Sequence, residues 1–258
     1  MDKKYALITG ASSGIGEEFA KRLALDGYDL ILVARRVDRL EHLANSLKEK
    51  NCNCLILAGD LSNTSEVDRI FNEVKTLPIE ILINNAGFGD CGYFPTTSLE
   101  KDLNMVDVNV KALHQFTKLM LNKFLASDSG YILNVASSAG LIPAGPYMAT
   151  YYATKAYVTS LTRAIARELK EKHSKIYIGA LCPGPVDTEF NRVANVSFSL
   201  KGISPYYCAN YCIDKMYQKK VIIIPSLRMK LAMNLGRLLP QSLYIMLTGH
   251  QQKKKLYG

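Results

Sequence analysis

The pattern that most limits what this 258-residue chain can fold into is its alternation of two hydrophobic periods. Short apolar runs fall at Tyr5–Thr9, Asp29–Ala34, Cys54–Ala58, Ile79–Asn84, Gly130–Ala136, Ile176–Leu181 and Val221–Ile224. Between them lie stretches with helical spacing, at Gly14–Asp26, Val37–Lys50, Ser65–Thr76, Leu103–Ala126 and Thr150–His173. Several short runs are apolar throughout rather than at alternate positions, as strands covered on both faces must be. Strand–helix–strand order with spacers of this length requires parallel strands joined by right-handed crossovers. The expectation is an α/β protein on a doubly wound parallel sheet, with ligands received beyond the carboxyl ends of the strands. Neither an internal repeat nor a low-complexity linker breaks the pattern. Residues 1–225 are expected to form one domain, with 226–258 a basic amphipathic extension of it.

The turn after the first run reads Thr9-Gly10-Ala11-Ser12-Ser13-Gly14-Ile15-Gly16 and opens a helix. Glycines here permit a sharp turn and close approach of backbone to a pyrophosphate. The helix N-terminus behind them offers free N–H groups and a positive dipole end. The spacing is G-x-x-x-G-x-G rather than the commoner dinucleotide G-x-G-x-x-G, and a purely structural turn would also explain it. Candidate phosphate contacts are Gly10, Ser12, Ser13, Gly14, Ile15 and Gly16. The second run ends Val33-Ala34-Arg35-Arg36. An NAD site usually has Asp or Glu here for the ribose hydroxyls. Ala34 cannot serve, whereas Arg35 presents a planar cation suited to a 2′-phosphate, with Arg36 as a second contact. That points to NADP(H); a solvated basic pair opening a helix is the other reading. Asp60 and Leu61 follow the third run, where Asp60 is placed for an adenine amino group. Asn84-Asn85-Ala86-Gly87 follow the fourth, with Asn85, Ala86 and Gly87 as further cofactor candidates.

TGASSGIG at 9–16, GDL at 59–61, NNAG at 84–87 and Tyr151-Tyr152-Ala153-Thr154-Lys155 together resemble the short-chain dehydrogenases/reductases, over about Lys4 to Ile224. The single-domain branch is the better match. The resemblance implies a seven-stranded Rossmann-type sheet in three α/β/α layers, a nicotinamide cofactor, and a catalytic set of Asn, Ser, Tyr and Lys. Residues i and i+4 share a helix face, so Tyr151 and Lys155 can be neighbours. An adjacent ammonium would draw a phenol pKa, ordinarily about 10, toward the working range. Tyr151 would then give a proton to a nascent alkoxide in reduction, or take it in oxidation. Tyr152 lacks that spacing. By resemblance, Lys155 also bonds the nicotinamide ribose.

Two serines compete for the third catalytic place. Ser137 stands three residues before Gly140, as the family pattern has it, while Ser138 lies at the usual thirteen-residue distance from the tyrosine. Strand phase favours Ser137. Either hydroxyl would bond the substrate oxygen. Asn109 matches the asparagine of a water-linked proton relay to the lysine; otherwise it reads as an ordinary mid-helix residue. The segment Cys182-Pro183-Gly184-Pro185-Val186-Asp187-Thr188 resembles the family turn that orients the carboxamide, through Pro183, Gly184, the backbone at Val186 and the Thr188 hydroxyl.

By the same resemblance, substrate contacts fall on Phe88, Tyr93, Phe94, Leu141, Tyr147, Met148, Phe190 and Phe198, with no clustered Arg or Lys for a phosphate. A hydrophobic ketone or secondary alcohol, such as a hydroxysteroid or bile acid, is the expected substrate, and a fatty-acyl or small ketone the alternative. A non-catalytic NADPH-binding or membrane-docking protein is the reading from another class. The filled Asn, Ser, Tyr and Lys positions favour the enzyme.

Charge separates the chain into two parts. Residues 1–214 hold 23 Lys/Arg and 23 Asp/Glu, whereas 215–258 hold the other 9 basic residues and no acid, which makes the net charge of +9. The main body therefore gives no sign of a nucleic-acid partner. Leu227, Leu231, Leu235, Leu238 and Leu239 share one helical face, broken by Pro240. Such a basic amphipathic helix suits peripheral contact with an anionic membrane, or else covers a pocket or meets another subunit. The six cysteines are scattered without a CxxC pair, so no metal site is expected. No run approaches the ~18–20 apolar residues of a membrane span. Met1 to Tyr5 leave no room for a signal peptide before the first strand, so a cytoplasmic setting is expected. A homodimer or homotetramer is implied by the resemblance alone.

Overall fold

The computed structural model describes residues 4–194 and 202–257, with side chains as far as Lys254. Seven strands, β1 (Tyr5–Thr9), β2 (Asp29–Ala34), β3 (Cys54–Ala58), β4 (Ile79–Asn84), β5 (Tyr131–Val135), β6 (Tyr177–Leu181) and β7 (Ile222–Ile223), form one sheet. The order is β3-β2-β1-β4-β5-β6-β7, and every pairing is parallel. The order reverses beside β1, which opens a crevice between the ends of β1 and β4. The doubly wound Rossmann-type fold expected from the sequence is the one observed.

The helices are α1 (Gly14–Leu25), α2 (Val37–Lys48), α3 (Thr64–Val74), α4 (Leu99–Val106), α5 (Leu113–Leu125), α6 (Ala149–Glu171), α7 (Phe190–Val193), α8 (Pro205–Tyr217), α9 (Leu227–Gly236) and α10 (Gln241–Tyr257). Successive strand residues feed opposite faces, so Leu7 and Ile8 enter different cores. Ile8, Leu32 and Ile83 meet Phe19 and Leu23 of α1, Leu40 of α2 and Ile213 of α8. Leu7, Val33 and Leu82 meet Ile70 of α3, Phe116 of α5 and Leu169 of α6. Each fully buried side chain of this size contributes roughly 1.5–3 kcal/mol. That is why all six positions of β2 are apolar or tied down.

Two elements depart clearly from expectation, and one break falls where it was expected. The stretch Leu103–Ala126 is not one regular helix: it starts at Leu99, capped by Ser98, and passes through a π-helical segment, Asp107–Ala112, before α5. Pro240 does interrupt the last helices, as expected, between α9 and α10. Strand β7 has only two residues, at the edge of the sheet beside β6.

A buried polar group crosses the middle of the sheet. Asn84 pairs in register with Asn134, and its Nδ2 donates to Asn134 Oδ1 at 2.9 Å and to Thr117 Oγ1 at 3.0 Å. Asn134 in turn donates to Thr162 Oγ1 at 3.0 Å. Strands β4 and β5 are thus fastened to α5 and α6.

Candidate active site

The β1–α1 turn is set by backbone conformations that side chains resist. Gly10 and Gly14 have φ of 65° and 59°. A Cβ on Gly10 would fall 2.8 Å from Ala86 Cα, and one on Gly14 would fall 3.1 Å from Thr188 Cγ2. The Asn85 amide donates to the Thr9 and Gly10 carbonyls, each at 3.0 Å. Thr9 Oγ1 accepts from the N–H groups of Asn85 and Ala86 at 3.0 Å. Asn85, picked out as a cofactor contact, therefore has its side-chain donor occupied in holding the turn.

Helix α1 lacks a side-chain cap. Asn63, Ser98, Ser204 and Ser226 each accept a first-turn N–H of their helices, but Ser13 makes no such bond and accepts instead from Arg36 at 2.8 Å. The orphan N–H groups of α1 remain as a concentration of positive potential over the glycine turn. That is a fit for the pyrophosphate of a dinucleotide.

The two arginines after β2 are placed differently. Arg35 is 72% exposed, with Asp60 Oδ2 3.8 Å away. The other Asp60 oxygen is held by the Ser62 N–H and hydroxyl at 3.0 and 2.9 Å. Arg36 is tied down: it donates to Ser12 Oγ at 3.1 and 3.3 Å, to Ser13, and to Glu189 at 2.9 Å. Glu189 also receives Arg39 at 2.9 Å, and these two guanidinium groups hold its carboxyl down at about 2. Sequence reasoning passed over Glu189. Its partner lies 153 residues away, and no local spacing marks the pair.

Tyr151 and Lys155 are both buried on the inner side of α6. Ser137 begins the short 3-10 turn Ser138–Leu141; its Oγ accepts from the Ala139 N–H at 3.1 Å and lies close enough to Tyr151 to pull on its phenol. Ser138 instead donates its backbone N–H to Pro183 at 2.8 Å. Of the two serines, the one beside the tyrosine is Ser137.

The electrostatics run against expectation. Burial pushes Tyr151 up to about 12, with the Ser137 hydroxyl pulling back, and burial pushes Lys155 down to about 8. The Lys155 ammonium donates to the Val135 carbonyl at 2.9 Å and stands 5.9 Å from the tyrosine ring centre. It does not lower the phenol here, because it is turned toward the strand end and desolvation dominates.

Asn109 is not an ordinary mid-helix residue. It sits in the π-helical segment, the kind of irregularity that recurs at functional sites. Its amide donates to Phe88 O at 2.9 Å and Thr154 Oγ1 at 3.1 Å, and its Oδ1 accepts from Phe88 N–H at 3.0 Å. Gly87 is wedged beside it: a Cβ there would lie 2.8 Å from Asn109 Oδ1 and 3.3 Å from Lys155 Nζ.

These groups open into one cavity of about 1850 Å³. Single-ligand sites usually occupy about 300–1,000 Å³, so two molecules have room. Its wall runs from the glycine turn and Ile15 past Leu61, Ala86 and Gly87 to Ser137, Tyr151 and Lys155, and then to Pro183, Gly184, Val186 and Thr188. Of the expected substrate contacts, Phe88, Met148 and Phe190 lie on it. Tyr93 and Phe94 are exposed to solvent, while Leu141 and Tyr147 are off this wall. Phe198 lies outside the described residues.

The far wall is made by α9 and α10. Met229 covers Gly184, where a Cβ would meet its Cγ at 2.7 Å. Met233, Leu239, Tyr244 and Leu247 continue it. Gln252 is buried there and donates to the Tyr152 hydroxyl at 2.5 Å, while its Oε1 has no partner among the described residues. Arg228, Lys253 and Lys254 also line the cavity, which corrects the expectation that no basic residues gather on the substrate side. That expectation looked only at the loops near the tyrosine, whereas folding brings in residues about one hundred positions later.

Residues 4–197 match the family described as short chain dehydrogenase. The chain belongs to that family. This short-chain dehydrogenase is 31% identical over 197 residues to the very-long-chain 3-oxoacyl-CoA reductase of Rattus norvegicus, covering 74% of this chain and 62% of that one. It is 30% identical over 196 residues to the 17-beta-hydroxysteroid dehydrogenase type 3 of Mus musculus, covering 74% and 63%. The chain thus matches about three fifths of the length of these relatives. Among solved structures, a short-chain dehydrogenase from Sphingobium yanoikuyae in complex with NADPH aligns with a TM-score of 0.83 at 30% identity, covering 93% of this chain and 94% of that one.

Proposed function

We propose that this short-chain dehydrogenase interconverts a ketone and a secondary alcohol on a hydrophobic substrate, such as a hydroxysteroid or bile acid, with NADP(H) as cofactor. The observation that carries the reading is one cavity holding an uncapped glycine-turn helix at one end and Tyr151, Ser137 and Lys155 at the other. The glycine turn and α1 N-terminus would hold the pyrophosphate, and Arg35 and Arg36 the 2′-phosphate. Asp60 and Leu61 would meet the adenine, Asn85 to Gly87 the ribose side, and Pro183 to Thr188 the carboxamide. Hydride exchange is the chemistry a nicotinamide supplies when bound. The basic pair after Ala34, and the NADPH-bound structure among those similar to this chain, support the phosphorylated cofactor.

The proton chemistry belongs to the chain itself. Burial keeps Tyr151 protonated at neutral pH, so its hydroxyl is ready to donate to the oxygen of a carbonyl being reduced. The Ser137 hydroxyl, on the same cavity wall as Tyr151, would hold that oxygen in place and stabilise its developing charge. Lys155 would supply positive potential behind the pair, with Asn109 fixing the Phe88 loop against α6. These filled positions favour an enzyme over a cofactor-binding protein without turnover. Residues 226–258 belong to the same domain in this reading, since α9 and α10 wall the cavity. Assembly of two or four copies is carried by the family resemblance, and a cytoplasmic setting by the scattered cysteines, which hold no CxxC pair.

A second reading has its own observation. Arg228, Lys253 and Lys254 on the wall suit the phosphates of a fatty-acyl thioester. A panel of steroid ketones, small ketones and 3-oxoacyl thioesters, followed by NADPH and NADH absorbance, separates the two. Tyr151→Phe should lower turnover at least about a thousandfold while cofactor still binds. Turnover within tenfold of wild type would sink the mechanism. Arg36→Ala and Arg35→Ala should weaken NADPH far more than NADH, and equal losses would refute the cofactor assignment.

A further inference from the structure

The leucines of helix α9 and of the turn that follows it face outward. Leu227, Leu231, Leu235 and Leu238 follow one another at helical spacing and are 71%, 55%, 64% and 81% exposed. Met246 and Leu247 of α10 are exposed as well. A helix that served only its own core would turn this stripe inward, as α1 and α5 do. Single exposed leucines are ordinary; a whole stripe marks a surface that meets something apolar.

Charge and continuity say what that is. Beyond Asp214 the chain has 9 Lys/Arg and no acid, and Arg228, Lys230 and Arg237 are exposed on or beside α9. A second copy in a two-fold contact would set this face on its own image and its cations against each other. An anionic lipid surface would neutralise them instead. Among the described residues no helix is long and apolar enough to cross a membrane, so the contact lies along the surface. Leu235, Leu238 and Leu247 are at once exposed and part of the cavity wall, so the stripe runs into the cavity mouth.

We propose that the α9–α10 face docks on an anionic bilayer and holds the cavity mouth against it. A lipophilic carbonyl compound then passes from the membrane toward Tyr151 without crossing bulk water; this delivery rests on the carbonyl chemistry proposed above. The test sediments the full chain with extruded vesicles of phosphatidylcholine alone, or of equal parts phosphatidylcholine and phosphatidylglycerol, at low and high salt. Leu227→Ser/Leu231→Ser and Lys230→Gln/Arg237→Gln are run beside it; none of these residues lines the cavity. The expected result is about tenfold more binding to phosphatidylglycerol vesicles, reversed by salt, and about a fivefold loss in each double variant with unchanged circular dichroism. Equal binding to both vesicles, or double variants that bind like wild type, would overturn the proposal. So would a leucine variant that loses mass in sedimentation velocity while wild type ignores vesicles, since the stripe would then be a subunit contact. Delivery is read as slower reduction of a vesicle-borne steroid ketone by the leucine variant, with equal rates on a small water-soluble ketone; equal rates on both would overturn it. Vesicle binding needs no turnover, so failure of the carbonyl chemistry shows separately, as a chain that binds vesicles and reduces nothing.

Discussion

At the scale of single residues, burial shifts both Tyr151 and Lys155, but at neutral pH it burdens only Lys155, whose ammonium is the charged form. Lys155 falls from 10.5 to about 8 through burial, so the unfolded chain binds more protons than the folded one between those values. Stability conferred by this site therefore rises as pH climbs through that window and is at its lowest below pH 8. Lys155→Met should stabilise the protein at pH 7 by roughly 1–2 kcal/mol, the relieved desolvation exceeding the lost bond to Val135. Urea unfolding at pH 7 and pH 10 reads this: the gain should shrink at the higher pH, and a variant destabilised at both would show that the buried ammonium is well satisfied. Tyr151 points the other way. Its rise to about 12 means that oxidation of an alcohol, which needs a phenolate, should be the alkaline direction, while reduction runs at neutral pH. Initial rates in both directions from pH 6 to 10 check this.

Between elements, Glu189 is the informative side chain, since it joins the segment before α7 to the arginines flanking the glycine turn. An exposed bridge of this kind contributes only about 0.2–1 kcal/mol, so Glu189→Gln should barely move the melting temperature. It should tighten NADPH severalfold, because it removes a carboxylate that competes with phosphate for Arg36. Fluorescence titration decides; weaker binding would mean that Glu189 positions Arg36 instead. The strands β1 to β4 were legible in the chain to the residue, because their short, mostly apolar runs stand out between segments of helical period. Helix α8 was not, because it buries small residues such as Cys208, Ala209 and Cys212 against α1 and offers no strong leucine period. The π-helical turn at Asn109 also leaves no mark in spacing. The glycine turn and the Tyr151–Lys155 pair could be read from local sequence, whereas Arg36 with Glu189, and Gln252 with Tyr152, could not.

For the molecule as a whole, the sheet is complete at Ile223, yet one wall of the cavity arrives only with α9 and α10. A chain ending at residue 225 should keep its sheet by circular dichroism, but its KM for a bulky ketone should rise about tenfold or more as Met229, Tyr244 and Leu247 leave the wall. An unchanged KM would show that those helices do not touch substrate. The bonds from Asn84 through Asn134 to Thr162 bear on accuracy more than on stability. They join the strand that leads into Asn85–Gly87, the strand that leads into Ser137, and the helix that carries Tyr151. A misplacement of about 1 Å between reacting groups can lower a rate roughly a hundredfold. Filling the same space with leucines could give a sturdier protein and a duller catalyst, since grease holds volume but does not fix registration. In an engineered descendant, those amides would be the alignment pins to leave alone.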